Sequence, residues 1–318
     1  MLSVILLLAG FVPLIYGADL LVDNASSLAK KLNIPSIVIG LTIVAFGTSA
    51  PELIVNIFAS VQGNSNIALG NIVGSNILNI MIILGISSII YPLAVKSNTT
   101  WIEIPLCLLA AIIIIVFAND VFIDKGSFSA ITRIDGIILL MFFLIFLFYN
   151  FQLMKTGSFS EEISVKDRAV WLSVLLIFAG LLLLVVGGKL IVDNAVNLAR
   201  FVGISERIIA LTIVSFGTSL PELATSIVAA RKRNVDIAIG NVVGSNIFNT
   251  FFILGTSAVI SPVAIQANSL LDMAVNIFAS LLLFFFIINS KKRSLVRWEG
   301  IVFILLYIGY LAAMFLLT

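Results

Sequence analysis

Histidine is absent from the 318 residues, cysteine occurs once, and charged side chains make up 11%. Without histidine there is no Ser-His nucleophile, no imidazole metal ligand and no histidine proton relay. Cys107, alone in an apolar run, cannot form an internal disulfide, so the redox compartment is not legible. A formal net charge of +2 is too small to imply nucleic acid or an acidic partner. What is abundant is hydrocarbon: 61% of residues are hydrophobic and the mean hydropathy is +1.20. Soluble domains hold roughly 45–50% apolar and about 25% charged residues. The composition is that of an integral membrane protein, with room for about ten spans at roughly 20 residues each and for no sizeable soluble domain.

The opening "MLSVILLLAGFVPLIYG" lacks the basic leader of a signal peptide, and "LSVILLLAG" at 2–10 returns as "LSVLLIFAG" at 172–180. At a constant offset of 170, about half of the positions in 2–95 match 172–265, including "VDNA", "LTIV", "FGTS" and "GSNI". The chain is a duplication. Apolar segments fall at 2–21, 34–59, 67–92, 101–118 and 131–153, then at 171–191, 204–230, 237–262, 268–289 and 298–317. Five spans per half is odd, so the two copies enter the membrane from opposite sides, as in inverted-repeat transporters. The expected organisation is all-α: a first five-helix repeat over 1–153, a hydrophilic linker over 154–170, and a second repeat over 171–318.

Of the 18 basic residues, 13 fall in odd-numbered loops: Lys30, Lys31, Lys96, Lys155, Lys166, Arg168, Arg231, Lys232, Arg233, Lys291, Lys292, Arg293 and Arg297. The excess of Lys and Arg marks the cytoplasmic side. Both termini are expected outside and the linker inside.

"AFGTSAPELIV" at 45–55 and "SFGTSLPELAT" at 215–225 each put a glutamate and a proline into a membrane-length apolar stretch. Pro51 has no N–H for the Gly47 carbonyl and crowds it, so the span breaks near 47–50. Freed carbonyls cost several kcal/mol each in hydrocarbon and have to face a polar cavity, with Glu52 one turn away. Pro221 and Glu222 repeat this in the other half. Two carboxylates, loosened carbonyls and the hydroxyls of Thr48, Ser49, Thr218 and Ser219 form an oxygen cage suited to a hard cation such as calcium. "GNIVGSNILN" and "GNVVGSNIFN" add Asn71, Ser75 and Asn79, and Asn241, Ser245 and Asn249, each set on one helix face. Gly70, Gly74, Gly240 and Gly244 allow close helix approach.

Other readings exist for each motif. "SAPE" and "SLPE" also fit capping boxes, but a midplane charge costs at least about 2.5 kcal/mol and occurs twice, so capping is expected only as a second role. The Asn and Ser faces, including Asn76 and Asn246, also fit interhelical hydrogen bonding, worth about 0.6 kcal/mol per contact. Asp23 and Asp193, in "VDNA", read as interfacial caps, and "MFFLIFLF" at 141–148 as lipid-facing bulk.

"GTSAPE", "GNIVGSNILN", "GTSLPE" and "GNVVGSNIFN" together resemble the two alpha repeats of the sodium/calcium exchangers within the calcium:cation antiporter superfamily, over essentially the whole chain. The resemblance implies ten transmembrane helices in inverted halves around three sodium sites and one calcium site. Carried over, Glu52 and Glu222 bind calcium and sodium in turn, and the Thr48 and Thr218 carbonyls are calcium ligands. Ser49, Ser75, Ser219 and Ser245 belong to sodium sites with the Ala45 and Ser215 carbonyls, while Asn79 and Asn249 flank the centre. Many relatives carry aspartate where this chain has Asn249, a departure that speaks against potassium co-transport. The implied activity is electrogenic, calcium-extruding sodium/calcium antiport by alternating access. It is not an enzyme activity; calcium and sodium are transported substrates, no cofactor is implied, and the expected form is a monomer in the plasma membrane. A calcium/proton antiporter is the nearest alternative and a passive cation channel the alternative from another class. An intramembrane protease is excluded, having neither histidine nor a midplane aspartate pair.

The charge distribution makes a direct topological prediction. A cysteine placed near Ser158 should react with an impermeant thiol reagent from the cytoplasm only, and one at Thr318 from outside only. Labelling of both from one face would rule out ten spans.

Overall fold

The computed structural model describes residues 2–123, 125, 128–157, 168–201, 215–265, 269–290 and 292–317. The expected linker core at 158–167, the start of the expected seventh span at 204–214, including Arg207 and the second "LTIV", and Thr318 lie outside the described residues. The first repeat contributes α1 (Leu2–Leu32), α2 (Ser36–Thr48), α3 (Ala50–Val61), α4 (Ile67–Ile90), α5 (Thr99–Phe117) and α6 (Arg133–Thr156). The second contributes α7 (Val170–Phe201), α8 (Ser215–Thr218), α9 (Leu220–Arg231), α10 (Val235–Ile260), α11 (Ser269–Asn289) and α12 (Arg297–Leu317).

The break expected at Pro51 is present: α2 and α3 meet at a 48° bend. Ser49 at the junction has φ −81° and ψ 7°, and Ser219 between α8 and α9 has φ −89° and ψ 7°. α4 and α10 each start on an asparagine N-cap. The Asn64 side chain accepts from Ile67 N–H at 3.5 Å, and that of Asn234 from Ile237 N–H at 3.1 Å. Each then passes through a π-helical stretch, Asn79–Leu84 and Phe248–Leu254. These wide turns, like that at Gly40–Val44 in α2, carry no sequence signature comparable to proline. α4 and α10 are the most buried spans, whereas α1, α6, α7 and α12 leave most of their surface to lipid.

Two expectations are corrected. α1 and α7 do not end at "VDNA" but run on for two to three further turns, so Asp23 is no cap. Asp23 instead accepts from Lys232 at 2.6 Å, and α1 stops at Asn33, whose φ of 52° supplies the left-handed cap. Asp193 likewise lies inside α7. The "MFFLIFLF" run is not all lipid-facing: Phe143 and Phe146 are buried and pack on Phe248, while Phe142 stacks on Phe251. The period of 3.6 divides the run, turning two rings inward while Leu144, Ile145 and Phe148 stay exposed.

Glycines set the closest helix approaches. α1 and α7 cross on Gly10 and Gly17 against Gly180 and Gly187; a methyl on Gly17 would lie 2.7 Å from the Gly180 carbonyl. Gly240 and Gly244 bring α10 onto α2, where a methyl on Gly244 would lie 2.8 Å from the Leu41 carbonyl. The positions that correspond by the offset to the partners of Gly240 and Gly244 lie at or next to 207–214, outside the described residues.

Two short antiparallel pairings tie loops together: Leu93–Ala94 with Ser294–Leu295, and Ala130–Ile131 with Val263–Ala264. They carry a topological consequence. Between Ala94 and Ser294 the described spans are α5, α6, α7, α10 and α11. Paired strands lie on one side of the membrane, which needs an even number of crossings, so the chain between Phe201 and Val235 makes one more. Eight long apolar helices, the bent α2–α3 pair and this crossing make ten spans, with the third and ninth loops on one face and the fourth and eighth on the other.

The α1–α7 crossing can be tested by size. Gly17→Leu overpacks a backbone contact and should cost about 1–3 kcal/mol, lowering the detergent melting temperature by several degrees. Gly309→Ala, where an added methyl has nothing within 4 Å, should leave it unchanged.

Candidate cation site

The two broken helices meet at their glutamates. Glu52 and Glu222 are each 1% exposed and sit in the first turn of α3 and of α9, directly after the prolines. A carboxylate is favourable there because unpaired helix N–H groups and the positive end of the helix dipole point toward it. No Lys or Arg forms an ion pair with either glutamate among the described residues.

Each carboxylate is instead held by hydroxyls, and the hydrogen bonds cross between repeats. Ser49 Oγ donates to Glu222 Oε1 at 3.0 Å, and Ser219 Oγ donates to Glu52 Oε1 at 3.0 Å. Ser75 Oγ lies 3.3 Å from Glu52 Oε1 and 3.1 Å from Ser219 Oγ. This corrects the capping expectation: neither Ser49 nor Ser219 caps its own helix with its side chain. A serine hydroxyl has one proton, and here it is donated to the opposite repeat's carboxylate, while no local N–H is bonded to the hydroxyl oxygen.

The asparagines form a chain whose direction can be reasoned out. The Asn76 backbone carbonyl can only accept, so Asn246 presents Nδ2 to it at 3.2 Å. Asn246 Oδ1 is then left to accept from Asn79 Nδ2 at 2.9 Å. Asn79 Oδ1 therefore faces away from this chain, buried and with no hydrogen-bond partner. On the other side Asn249 Nδ2 donates to Asn76 Oδ1 at 3.1 Å, Asn76 Nδ2 reaches Thr250 Oγ1 at 3.0 Å, and Asn249 Oδ1 is left in the same condition. Asn76 and Asn246 thus orient the other two amides.

Asn71 and Asn241 fix the threonines. Thr48 Oγ1 donates to Asn241 Oδ1 at 2.9 Å, and Thr218 Oγ1 to Asn71 Oδ1 at 3.4 Å. Asn241 Nδ2 also reaches the Glu222 carbonyl at 3.2 Å and Ser226 Oγ at 2.9 Å. Ser245 is buried with a partnerless hydroxyl. The Ala45 carbonyl accepts from Ser49 N–H at 3.0 Å and from Thr48 Oγ1 at 3.3 Å, while of Ser215 only the backbone is described. Three participants escaped the sequence reading: Asn56, whose Nδ2 donates to the Glu52 carbonyl at 3.0 Å, Thr250 and Ser226. The signal for Asn56 was its position one turn beyond Glu52.

Of the fifteen buried side-chain atoms without a partner among the described residues, five are oxygens of expected ligands, Glu52 Oε2, Glu222 Oε2, Asn79 Oδ1, Asn249 Oδ1 and Ser245 Oγ, and Asn56 Oδ1 and Asn71 Nδ2 lie beside them. Buried polar atoms are rarely left so. The five ligand atoms are all oxygen, with two formal negative charges, and among the described residues no group of three His, Cys, Asp or Glu side chains could hold a metal ion. Such donors suit sodium or calcium rather than a transition metal.

Comparison with known proteins agrees with the geometry. The family model for sodium/calcium exchanger protein matches residues 2–152 and 172–316. Among curated proteins, the putative antiporter CaxA of Alkalimonas amylolytica is 37% identical over 97% of both chains, and the sodium/calcium exchanger MaX1 of Methanosarcina acetivorans is 32% identical over 98% of both. A structure of the sodium-calcium exchanger NCX_Mj, soaked with 2.5 mM Na+ and 0.1 mM Ca2+, superimposes with a TM-score of 0.82 at 35% identity over 98% of each chain. With the whole length matched by family, relatives and fold alike, this chain belongs to the sodium/calcium exchanger family.

Proposed function

We propose that the protein is a sodium-driven calcium antiporter in which Glu52 and Glu222 form one binding centre used in turn by calcium and by sodium. The observation that carries this reading is the reciprocal crossing of the two broken helices. Each glutamate offers one buried, partnerless oxygen while its other oxygen is held by a serine of the opposite repeat. Two carboxylates neutralise one calcium or two sodium ions, so the substrates compete for the same charge, and competition for one site gives exchange. Asn79 and Asn249 add neutral oxygens beside the centre. Ser49, Ser75, Ser219 and Ser245 extend the hydroxyl lining toward sodium subsites, with the Thr48, Thr218, Ala45 and Ser215 carbonyls completing the coordination.

The functional units in this reading are a first repeat over 1–153, a linker over 154–170 and a second repeat over 171–318, working as a monomer. The loop pairings keep odd loops together on one face, and the Lys and Arg excess assigns that face to the cytoplasm of the cell membrane, with both termini extracellular. If three sodium ions enter per calcium, the extra charge adds about 2.3 kcal/mol per 100 mV to the sodium gradient and drives calcium outward. Calcium/proton antiport is the second reading, since paired glutamates can carry protons; the "GTSxPE" form of both motifs favours sodium. A passive channel would give uncoupled current.

The carboxylates are tested directly. Glu52→Gln or Glu222→Gln should abolish sodium-dependent calcium uptake in proteoliposomes while the purified protein keeps its elution profile and helicity. Full exchange in either variant would remove the centre from the assignment. A proton gradient imposed without sodium should drive no uptake; uptake under it would replace sodium by protons as the coupling ion.

Asn249 generates a prediction of its own. A neutral amide leaves two carboxylates in the cavity, too few to compensate a potassium ion beside calcium. Sodium-dependent calcium uptake should therefore continue when choline replaces potassium on both sides of the membrane. Asn249→Asp, by adding charge in a medium of low dielectric, should slow cation release and introduce sensitivity to potassium.

A further inference from the structure

The two amides that flank the centre, Asn79 and Asn249, are counterparts at the offset of 170, and so are the amides that orient them, Asn246 and Asn76. The orienting amides are anchored differently. Asn246 gives Nδ2 to the Asn76 backbone carbonyl at 3.2 Å and is also hydrogen-bonded to Cys107. A carbonyl can only accept, so the direction of the Asn246 amide, and with it that of Asn79, is fixed by the main chain. Asn76 instead gives Nδ2 to a side chain, Thr250 Oγ1, at 3.0 Å, and its Oδ1 accepts from Asn249 Nδ2 at 3.1 Å. The counterpart of Thr250 is Ile80, which has no hydroxyl to offer.

Thr250 is adjacent to Asn249 in sequence, yet both side chains reach Asn76. They lie in the π-helical stretch Phe248–Leu254 of α10. An i→i+5 turn holds more residues than an α-helical turn, so neighbours in sequence stand closer in angle and can address one partner. Thr250 is buried, as are the four amides. A helical threonine can give its one proton to a carbonyl of the preceding turn, which leaves Oγ1 an acceptor toward Asn76, the role it takes here.

We propose that Thr250 sets the polarity of the Asn249 amide: by accepting from Asn76 Nδ2 it commits Asn76 Oδ1 to Asn249 Nδ2, so that Asn249 shows oxygen and not nitrogen to the cation. The inference rests on the centre proposed above and names a positioning residue for it, since Thr250 acts on the cation only through Asn76 and Asn249. An amide turned over exchanges donor for acceptor in the same space. Without the hydroxyl, Asn76 Nδ2 would be a buried donor facing hydrocarbon, which is costly. Turning both amides gives that N–H an acceptor in Asn249 Oδ1 and leaves Asn76 Oδ1 short instead, the better tolerated deficit. It also aims Asn249 Nδ2 at the carboxylates, where an N–H takes the place of a ligand oxygen and opposes a cation. Asn79 has no such freedom, because its relay ends on the main chain.

Binding of radioactive calcium to the purified full-length protein in sodium-free choline buffer tests this. Thr250→Val keeps the shape and removes the hydroxyl; it should weaken binding about ten-fold, through the loss of one ligand oxygen. Thr250→Ser, which keeps the hydroxyl, should stay within about two-fold of the parent. The decisive arm is a double-mutant cycle. In an Asn249→Asp background the side chain next to Thr250 has no N–H to present, so Thr250→Val should change binding there less than about two-fold. A packing defect would weaken both backgrounds alike. Thr250→Ala repeats the cycle with a second side chain. An equal loss in both backgrounds, or unchanged binding in Thr250→Val and Thr250→Ala while Glu222→Gln has lost calcium, would overturn the role of Thr250. Parental binding in Glu222→Gln would instead remove the centre itself, and this inference with it.

Discussion

Two carboxylates buried in hydrocarbon with no basic partner are the constraint from which the rest of the structure follows. A charge at the bilayer centre costs a few kcal/mol even on lenient scales, and two of like sign brought together cost more. Natural proteins meet that cost by pairing the charge with Lys or Arg; among the described residues this one does not. What it supplies is a set of weaker substitutes: helix N-termini opened by Pro51 and Pro221, and hydroxyl donors from Ser49, Ser75 and Ser219. They stabilise one oxygen of each carboxylate and leave the other oxygen of each without a partner. Those two free oxygens are what the proposed cation site would use.

The broken helices do two jobs for that site. Breaking the span frees carbonyls, and it turns the first residues of the resumed helix toward the centre, so that serine and glutamate three residues apart can address the opposite repeat. Ser49 turns its hydroxyl across to Glu222 and makes no side-chain cap of its own helix. The asparagines extend the same logic. An amide is ambivalent, and Asn76 and Asn246 resolve the ambiguity by taking the donor ends of Asn249 and Asn79, leaving oxygens. Glycines at 240 and 244 make this possible by letting α10 lie directly on α2.

Much of this was legible in the chain because the signals are strong ones: proline and glutamate in apolar runs, a gapless duplication, polar residues at i, i+4 and i+8. The break at Ser49, the ten spans and the meeting of Glu52 with Glu222 follow from them. Other features were not legible for identifiable reasons. "VDNA" looked like a helix end because polar residues usually mark the membrane interface, but α1 continues to Asn33 with Lys232 as the partner of Asp23. That partner is distant in sequence. The π-helical turns at Asn79–Leu84 and Phe248–Leu254 coincide with no proline or glycine that would mark them in the sequence. Phe143 and Phe146 were hidden in a run apolar on every face, where hydropathy cannot distinguish lipid from protein.

The two kinds of symmetry have different consequences. In the proposed antiporter, near-identity of the halves at the centre would give each conformer almost the same ligand set, which is what a carrier needs if an ion is to be released as readily as it is bound. Divergence at the surfaces affects something else. Contacts made in one conformer alone change how long the empty or loaded protein waits facing each side, yet they cannot alter the direction of net transport, which is set by the gradients of the exchanged ions. A surface charge can therefore be lost or acquired without disturbing the chemistry of the centre. In the reading proposed above, ion identity is a matter for Glu52, Glu222 and the asparagines beside them, and the charges at the membrane surface are free of that constraint.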